Sequence, residues 1–161
     1  MRTWLLGVLL AATCAFAQEP SAVSRELRVG GEVERPMVLS PDALREIVKR
    51  KGGVEARTYA GIRLADLLDE ARIRSDAPRA LRRSYVVATA TDGYQAVFSW
   101  GELYNSPLGR EVIVALDRDG RPLLDGEGRF ALVSLGDLRS GPRHVKWLSR
   151  IDVRRVPEEA K

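Results

Sequence analysis

Cysteine and histidine are almost missing from this chain. Of 161 residues only Cys14 carries a thiol and only His144 an imidazole. That scarcity excludes disulfide scaffolds and Cys/His zinc sites, because a structural zinc needs about four such ligands. No HExxH, CxxC or clustered Asp/Glu loop stands in for them. No G-x-S-x-G elbow accompanies His144, so a serine triad has no nucleophile. Dinucleotide and Walker glycine loops are absent too, and the glycines of "DGRPL" and "DGEGRF" read as turn residues. No apolar run reaches the roughly 20 residues that span a bilayer.

The longest apolar run opens the chain. "MRTWLLGVLLAATCAFAQEP" has Arg2 in a short basic region, apolar residues from Trp4 to Ala12, and the small-x-small site Ala15-Phe16-Ala17. This is the pattern of a secretory signal over residues 1–17, cleaved before Gln18, and it predicts an exported mature protein, expected in the periplasm, with no membrane-spanning segment. Lipidation at Cys14 fits poorly, because Thr13 before it is larger than the usual Gly or Ala. The domain that follows then holds no thiol ligand or nucleophile.

Removing Arg2 from the 26 basic side chains leaves 25 against 22 acidic ones, a net of +3. The positive charges are interspersed with negative ones, which describes a mixed solvated surface and not a nucleic-acid face.

What is present reads as a polar linker over residues 18–25, one domain over 26–156 and a short tail over 157–161. "ELRVGGEVE" alternates and places Leu27, Val29 and Val33 inside. "LSPDALREIVKRKGG" predicts a helix capped by Ser40, started by Pro41, striped by Leu44, Ile47 and Val48, and ended by Gly52-Gly53. "RLADLLDEAR" aligns Leu64, Leu67, Leu68 and Ala71 on one helical face. From Tyr85 onward the chain reads as strands separated by Asp-Gly turns at 92, 119 and 125, with a short helix at "SWGELYN" behind a Ser99/Glu102 capping box. Strands with a few short helices and no βαβ alternation predict an α+β domain with mixed β-sheets.

The densest chemistry lies in "SGPRHVKWLSRI". Read as a strand from His144, it puts Val145, Trp147, Ile151 and Val153 in the core and His144, Lys146 and Arg150 on the opposite face. Asp137, in the preceding loop among Arg139, Arg143 and His144, has two readings. It is a salt-bridge partner, or it accepts paired N–H donors from a guanidine-like edge of a ligand.

The stretches "GEVERPMVLS", "YAGIRLADLL", "ATDGYQAVFS", "RPLLDGEGRFALVSLGD" and "GPRHVKWLSRIDV" follow the order and spacing of the molybdopterin-binding domain of the sulfite oxidase family. The resemblance runs from Glu26 to Val156 and implies that family's fold. In its catalytic members a cysteine ahead of the segment matching "YAGIRLADLL" binds molybdenum. Here that region is "KRKGGVEARTYAG", without a cysteine, so the resemblance implies a pterin-binding fold that has lost its thiolate ligand, with the molybdenum cofactor disfavoured.

With "FSW.EL.N" and "GPRHVKWL", the chain is similar to short exported members that bind reduced pterins and regulate membrane enzymes of cyclic-di-GMP metabolism. The implied function is a non-catalytic pterin-binding regulator whose partner is the periplasmic domain of such an enzyme. The implied pterin ligands are Trp100, Glu102, Asn105, Ser134, Asp137, Arg143, His144, Lys146 and Trp147, with either tryptophan stacking on the ligand or buttressing from the core. Two rival readings are a molybdenum-cofactor oxidoreductase with an oxygen ligand in place of the thiolate, and an interaction module that has kept the fold without the ligand.

Overall fold

The structure, a computed structural model, describes residues 23–76, 79–139 and 141–158. The leader over residues 1–17, with Cys14 and the cleavage site, lies outside the described residues, as do most of the linker, the end of the tail and Ser140. Ten strands and three α-helices follow in the order β1 (Leu27–Gly31), β2 (Met37–Leu39), α1 (Pro41–Lys51), β3 (Val54–Ala56), β4 (Tyr59–Arg63), α2 (Leu64–Ala71) and β5 (Ser84–Ala90). They continue with β6 (Gln95–Ser99), α3 (Trp100–Asn105), β7 (Val112–Arg118), β8 (Arg121–Pro122), β9 (Ala131–Ser134) and β10 (Leu148–Arg155).

One sheet has the order β2-β1-β10-β5-β6, with β1 and β10 parallel and the other pairs antiparallel. The second has the order β3-β4-β7-β8, with β9 also paired to β7. Leu27, Val86 and Ile151 of the first sheet share one core with Ile62, Val114 and Leu132 of the second and with Leu44 and Leu67 of the helices. This bears out the α+β reading.

Local chemistry explains the helices. Ser40 accepts the Ala43 N–H, Pro41 takes the first helical position, and Gly52, at φ +90, ends α1. The four apolar residues read on one face of α2 are all fully buried. Ser99 and Glu102 make a reciprocal capping box at the start of α3.

The last strand departs from its sequence reading. It begins at Leu148, not His144, and Trp147 is not a core residue. Trp147 sits at φ +48, which breaks the alternation, so Val145 and Leu148 turn inward and Trp147 stays half-buried at the surface. Its N–H donates to the Glu127 carbonyl (2.7 Å) and its indole N–H to the Asp125 carbonyl (2.7 Å). These two bonds hold the tryptophan on the turn before β9. Period-two alternation cannot register such a left-handed residue.

This topology gathers the candidate site residues. Pairing of β4 with β7 sets Tyr59 opposite Arg118. The connection from the end of β9 to the start of β10 carries Asp137, Arg143, His144, Lys146 and Trp147 back across the same end of the molecule.

Candidate functional site

Seven of the nine residues singled out in the sequence divide among three places, while Lys146 lines a fourth and Trp147 sits on the turn before β9. Asp137, Arg143 and Glu102 form an ion-pair network. The Arg143 guanidinium donates through Nε to Asp137 Oδ2 (2.9 Å), through Nη2 to Asp137 Oδ1, and through Nη1 to Glu102 Oε1 (2.8 Å). It also lies over the Phe98 ring, 4.7 Å from the centroid. Glu102 Oε2 meanwhile accepts the Ser99 N–H (2.9 Å), so one carboxylate caps α3 and binds Arg143 together.

These hydrogen bonds hold Asp137 below the usual carboxylate range, chiefly through Arg143. Ser134 Oγ adds to this more weakly, from an approach that falls short of hydrogen-bond geometry. For Glu102, burial is the largest influence and pushes upward, but the bonds from Ser99 and Arg143 outweigh it and its carboxyl also titrates low. Of the two readings of Asp137, the salt bridge is the one its side-chain contacts make.

His144 and Ser134 belong to the second place, a cleft of about 290 Å³ lined also by Arg57, Thr58 and Tyr59. Tyr59 meets the imidazole edge-on, with ring centroids 5.9 Å apart. Two lining residues carry buried polar atoms without a hydrogen-bond partner among the described residues, Ser134 Oγ and His144 Nε2. Such atoms cost free energy unless something supplies the missing bond. Burial holds the His144 imidazole below its ordinary value, with Lys146 and Arg118 acting the same way and Glu127 opposing them.

Beside this cleft lies a wider concavity of about 640 Å³ lined by Arg118, Arg121, Glu127 and Lys146. Glu127 connects the two. Its Oε1 accepts from Arg118 Nη1 (2.5 Å) and from the Tyr59 hydroxyl (3.3 Å), while its Oε2 is buried without a partner. Arg118 also stands over the Tyr59 ring, 5.3 Å from its centroid. Burial first, then Glu127, raises the Tyr59 phenol above its ordinary value. The sequence reading missed Tyr59, Arg118 and Glu127, because none stands in a chemical motif and only the β4–β7 pairing joins them.

Trp100 and Asn105 form the third place. Trp100 stacks on Tyr104, with ring centroids 5.2 Å apart at 17°, and lines a concavity with Asn105, Arg79 and Arg82. Glu102 lies two residues after Trp100, about 200° round the helix at 3.6 residues per turn. That separates Trp100 from Glu102 and Arg143, and Asn105 lines the concavity that Trp100 lines.

Among the described residues no group of three or more His, Cys, Asp or Glu is placed to hold a metal ion, and no helix is long and apolar enough to cross a membrane. The family model described as oxidoreductase molybdopterin binding domain matches residues 46–161. Among solved structures the chain is similar to the sulfane dehydrogenase SoxCD from Paracoccus pantotrophus, at 20% identity with a TM-score of 0.58. The match covers 80% of this chain but 37% of that one, and it shows a shared fold. No curated protein matches the chain.

Proposed function

The chain belongs to the oxidoreductase molybdopterin-binding domain family, and from that premise we propose that it binds a reduced pterin without turning it over and acts as a periplasmic regulator. The observation that carries the ligand reading is the cleft beside Tyr59, where His144 and Ser134 hold buried polar atoms with no partner. Its volume of about 290 Å³ falls just short of the range of ligand clefts, which starts near 300 Å³. A flat heterocycle with several ring donors and acceptors matches an aromatic wall and isolated polar atoms.

Molybdopterin has a pterin part and a metal part, and the residues treat them differently. The aromatic wall and polar atoms of the cleft support a place for the pterin part. The metal part has no matching ligands, because the segment from Lys49 to Gly61 holds no thiolate and, among the described residues, no carboxylate or imidazole cluster replaces it. We therefore assign the chain no oxo-transfer step. Export is supported by the leader pattern of residues 1–17, and a membrane partner of cyclic-di-GMP metabolism by "FSW.EL.N" and "GPRHVKWL". Binding transmits a signal only if the bound and free forms differ in affinity for that partner.

Titration of the purified protein with a reduced pterin, followed by equilibrium dialysis, tests this. One-to-one binding that is weakened in a folded His144→Ala variant is the expected result. Absence of saturable binding by the folded protein would overturn it, and stoichiometric molybdenum in protein from a cofactor-competent host would overturn the non-catalytic part.

A further inference from the structure

The sequence marks Trp100 and Asn105, yet the ligand cleft does not use them. They line a separate concavity of about 360 Å³ with Ser75, Arg79 and Arg82. Its chemistry is one-sided, for no Asp or Glu lines it. Among the described residues Arg79 and Arg82 form no ion pair, and Asp76, close before Arg79 in sequence, and Glu158, which pairs with the residue after Arg82, are engaged elsewhere. Asp76 binds Arg155 (3.2 Å) and Glu158 binds Arg83 (3.4 Å). With the Trp100 indole N–H and the two guanidinium groups on its lining, the concavity is rich in donors. Its back wall is fixed, because Trp100 stacks on Tyr104 and the Tyr104 hydroxyl donates to Asp69 (2.9 Å).

We propose that this concavity docks an acidic, extended segment of a partner protein. Carboxylates of that segment pair with the guanidinium groups of Arg79 and Arg82, whose forked donors suit them, and an apolar or proline side chain lies on Trp100. Arginine beside a half-buried tryptophan and tyrosine is the composition that concentrates binding energy at protein interfaces. The inference rests on the reading that the chain acts through a partner, but not on the pterin cleft.

The probe is a labelled peptide of about twelve residues alternating glutamate and proline, which stays extended without internal hydrogen bonds. Fluorescence anisotropy should show saturable binding that weakens as salt screens the charges. Arg79→Glu and Arg82→Glu should each weaken it at least about tenfold, and Trp100→Ala by a similar factor. Arg28→Glu, on a strand of the first sheet, should leave it unchanged, with thermal melts confirming that each variant is folded.

No saturable binding, or equal weakening by Arg28→Glu, would overturn the proposal. So would equally tight binding of glutarate, which would mark a small-anion site, or binding to phosphatidylglycerol vesicles but not to the peptide. Pterin titration of the same preparations separates the two readings: lost pterin binding with intact peptide binding sinks the ligand reading alone, and the converse sinks this surface alone.

Discussion

Arg143 lays the Nε–Nη2 edge of its guanidinium along both oxygens of the Asp137 carboxylate. Its remaining amino group holds Glu102 at the start of α3. The loop between β9 and β10 is therefore tied to a helix by one residue. That tie sets the position from which His144 enters its cleft.

Asp137→Ala should loosen that tie. The variant leaves a largely buried guanidinium with one carboxylate where it had two, at a cost of about 1–3 kcal/mol. Urea unfolding reads the change. The folded-state titration of Asp137 and Glu102 is depressed, so their stabilisation is present above the ordinary carboxylate range, near pH 4, and is lost as pH falls through the lower folded values. Asp137→Asn should flatten this acid limb. An unchanged limb and midpoint would show that the pair contributes nothing.

His144 should give a second limb nearer neutrality. Its folded value is depressed by burial, so the unfolded chain takes up the proton first as pH falls. Stability is then complete above about pH 6.5 and declines as pH drops through the lower folded value. Urea midpoints measured from about pH 7.5 to 5.5 should fall for the wild type and stay level for His144→Gln. A level wild-type profile would show that the imidazole is freely solvated.

The elements with local signatures were legible in the sequence, and the site only in part. Ser40-Pro41 and the stripe Leu44–Ile47–Val48 mark α1 through groups close in the chain, and Ser99 and Glu102 do the same for α3. The sequence singles out Asp137, Arg143 and Glu102 as ligand contacts and allows Asp137 a salt bridge in its loop, but nothing local joins Glu102 to Arg143. Alternation misplaced Trp147 because one positive φ reverses the faces of a strand. Tyr59 and Glu127 left no local signal, since 68 positions separate them and only sheet pairing brings them within hydrogen-bond reach.

Trp147 and Gly128 provide a test of that corrected geometry. A core tryptophan replaced by alanine costs about 3–5 kcal/mol, but this one is half-buried and should cost clearly less. Gly128→Ala should be the more damaging change relative to its size. Gly128 sits at φ +85, and an added Cβ would come 2.8 Å from Trp147 Cα. The backbone conformation alone costs a non-glycine residue about 1–2 kcal/mol, before the clash. Chemical denaturation of both variants decides it, and a harmless Gly128→Ala would mean that the turn does not pack against Trp147.

Ser134→Ala separates binding from folding more sharply than any change at Arg143. Ser134 is 7% exposed, and its Oγ is buried without a hydrogen-bond partner among the described residues. Removing the hydroxyl returns its desolvation cost and forfeits only its weak approach to Asp137, so the variant should be about as stable as the wild type. If a pterin supplies the missing bond, the same change leaves a ligand group unpaired, at about 1–3 kcal/mol. Affinity should then fall about 5- to 150-fold, since 1.4 kcal/mol is a factor of ten. Isothermal titration with a reduced pterin, run beside urea melts of the same samples, measures both. Weaker binding with undiminished stability is the expected pair of results. Destabilisation with unchanged affinity would mean that Ser134 serves the fold through Asp137, and the cleft would lose one of the two atoms on which the ligand reading stands.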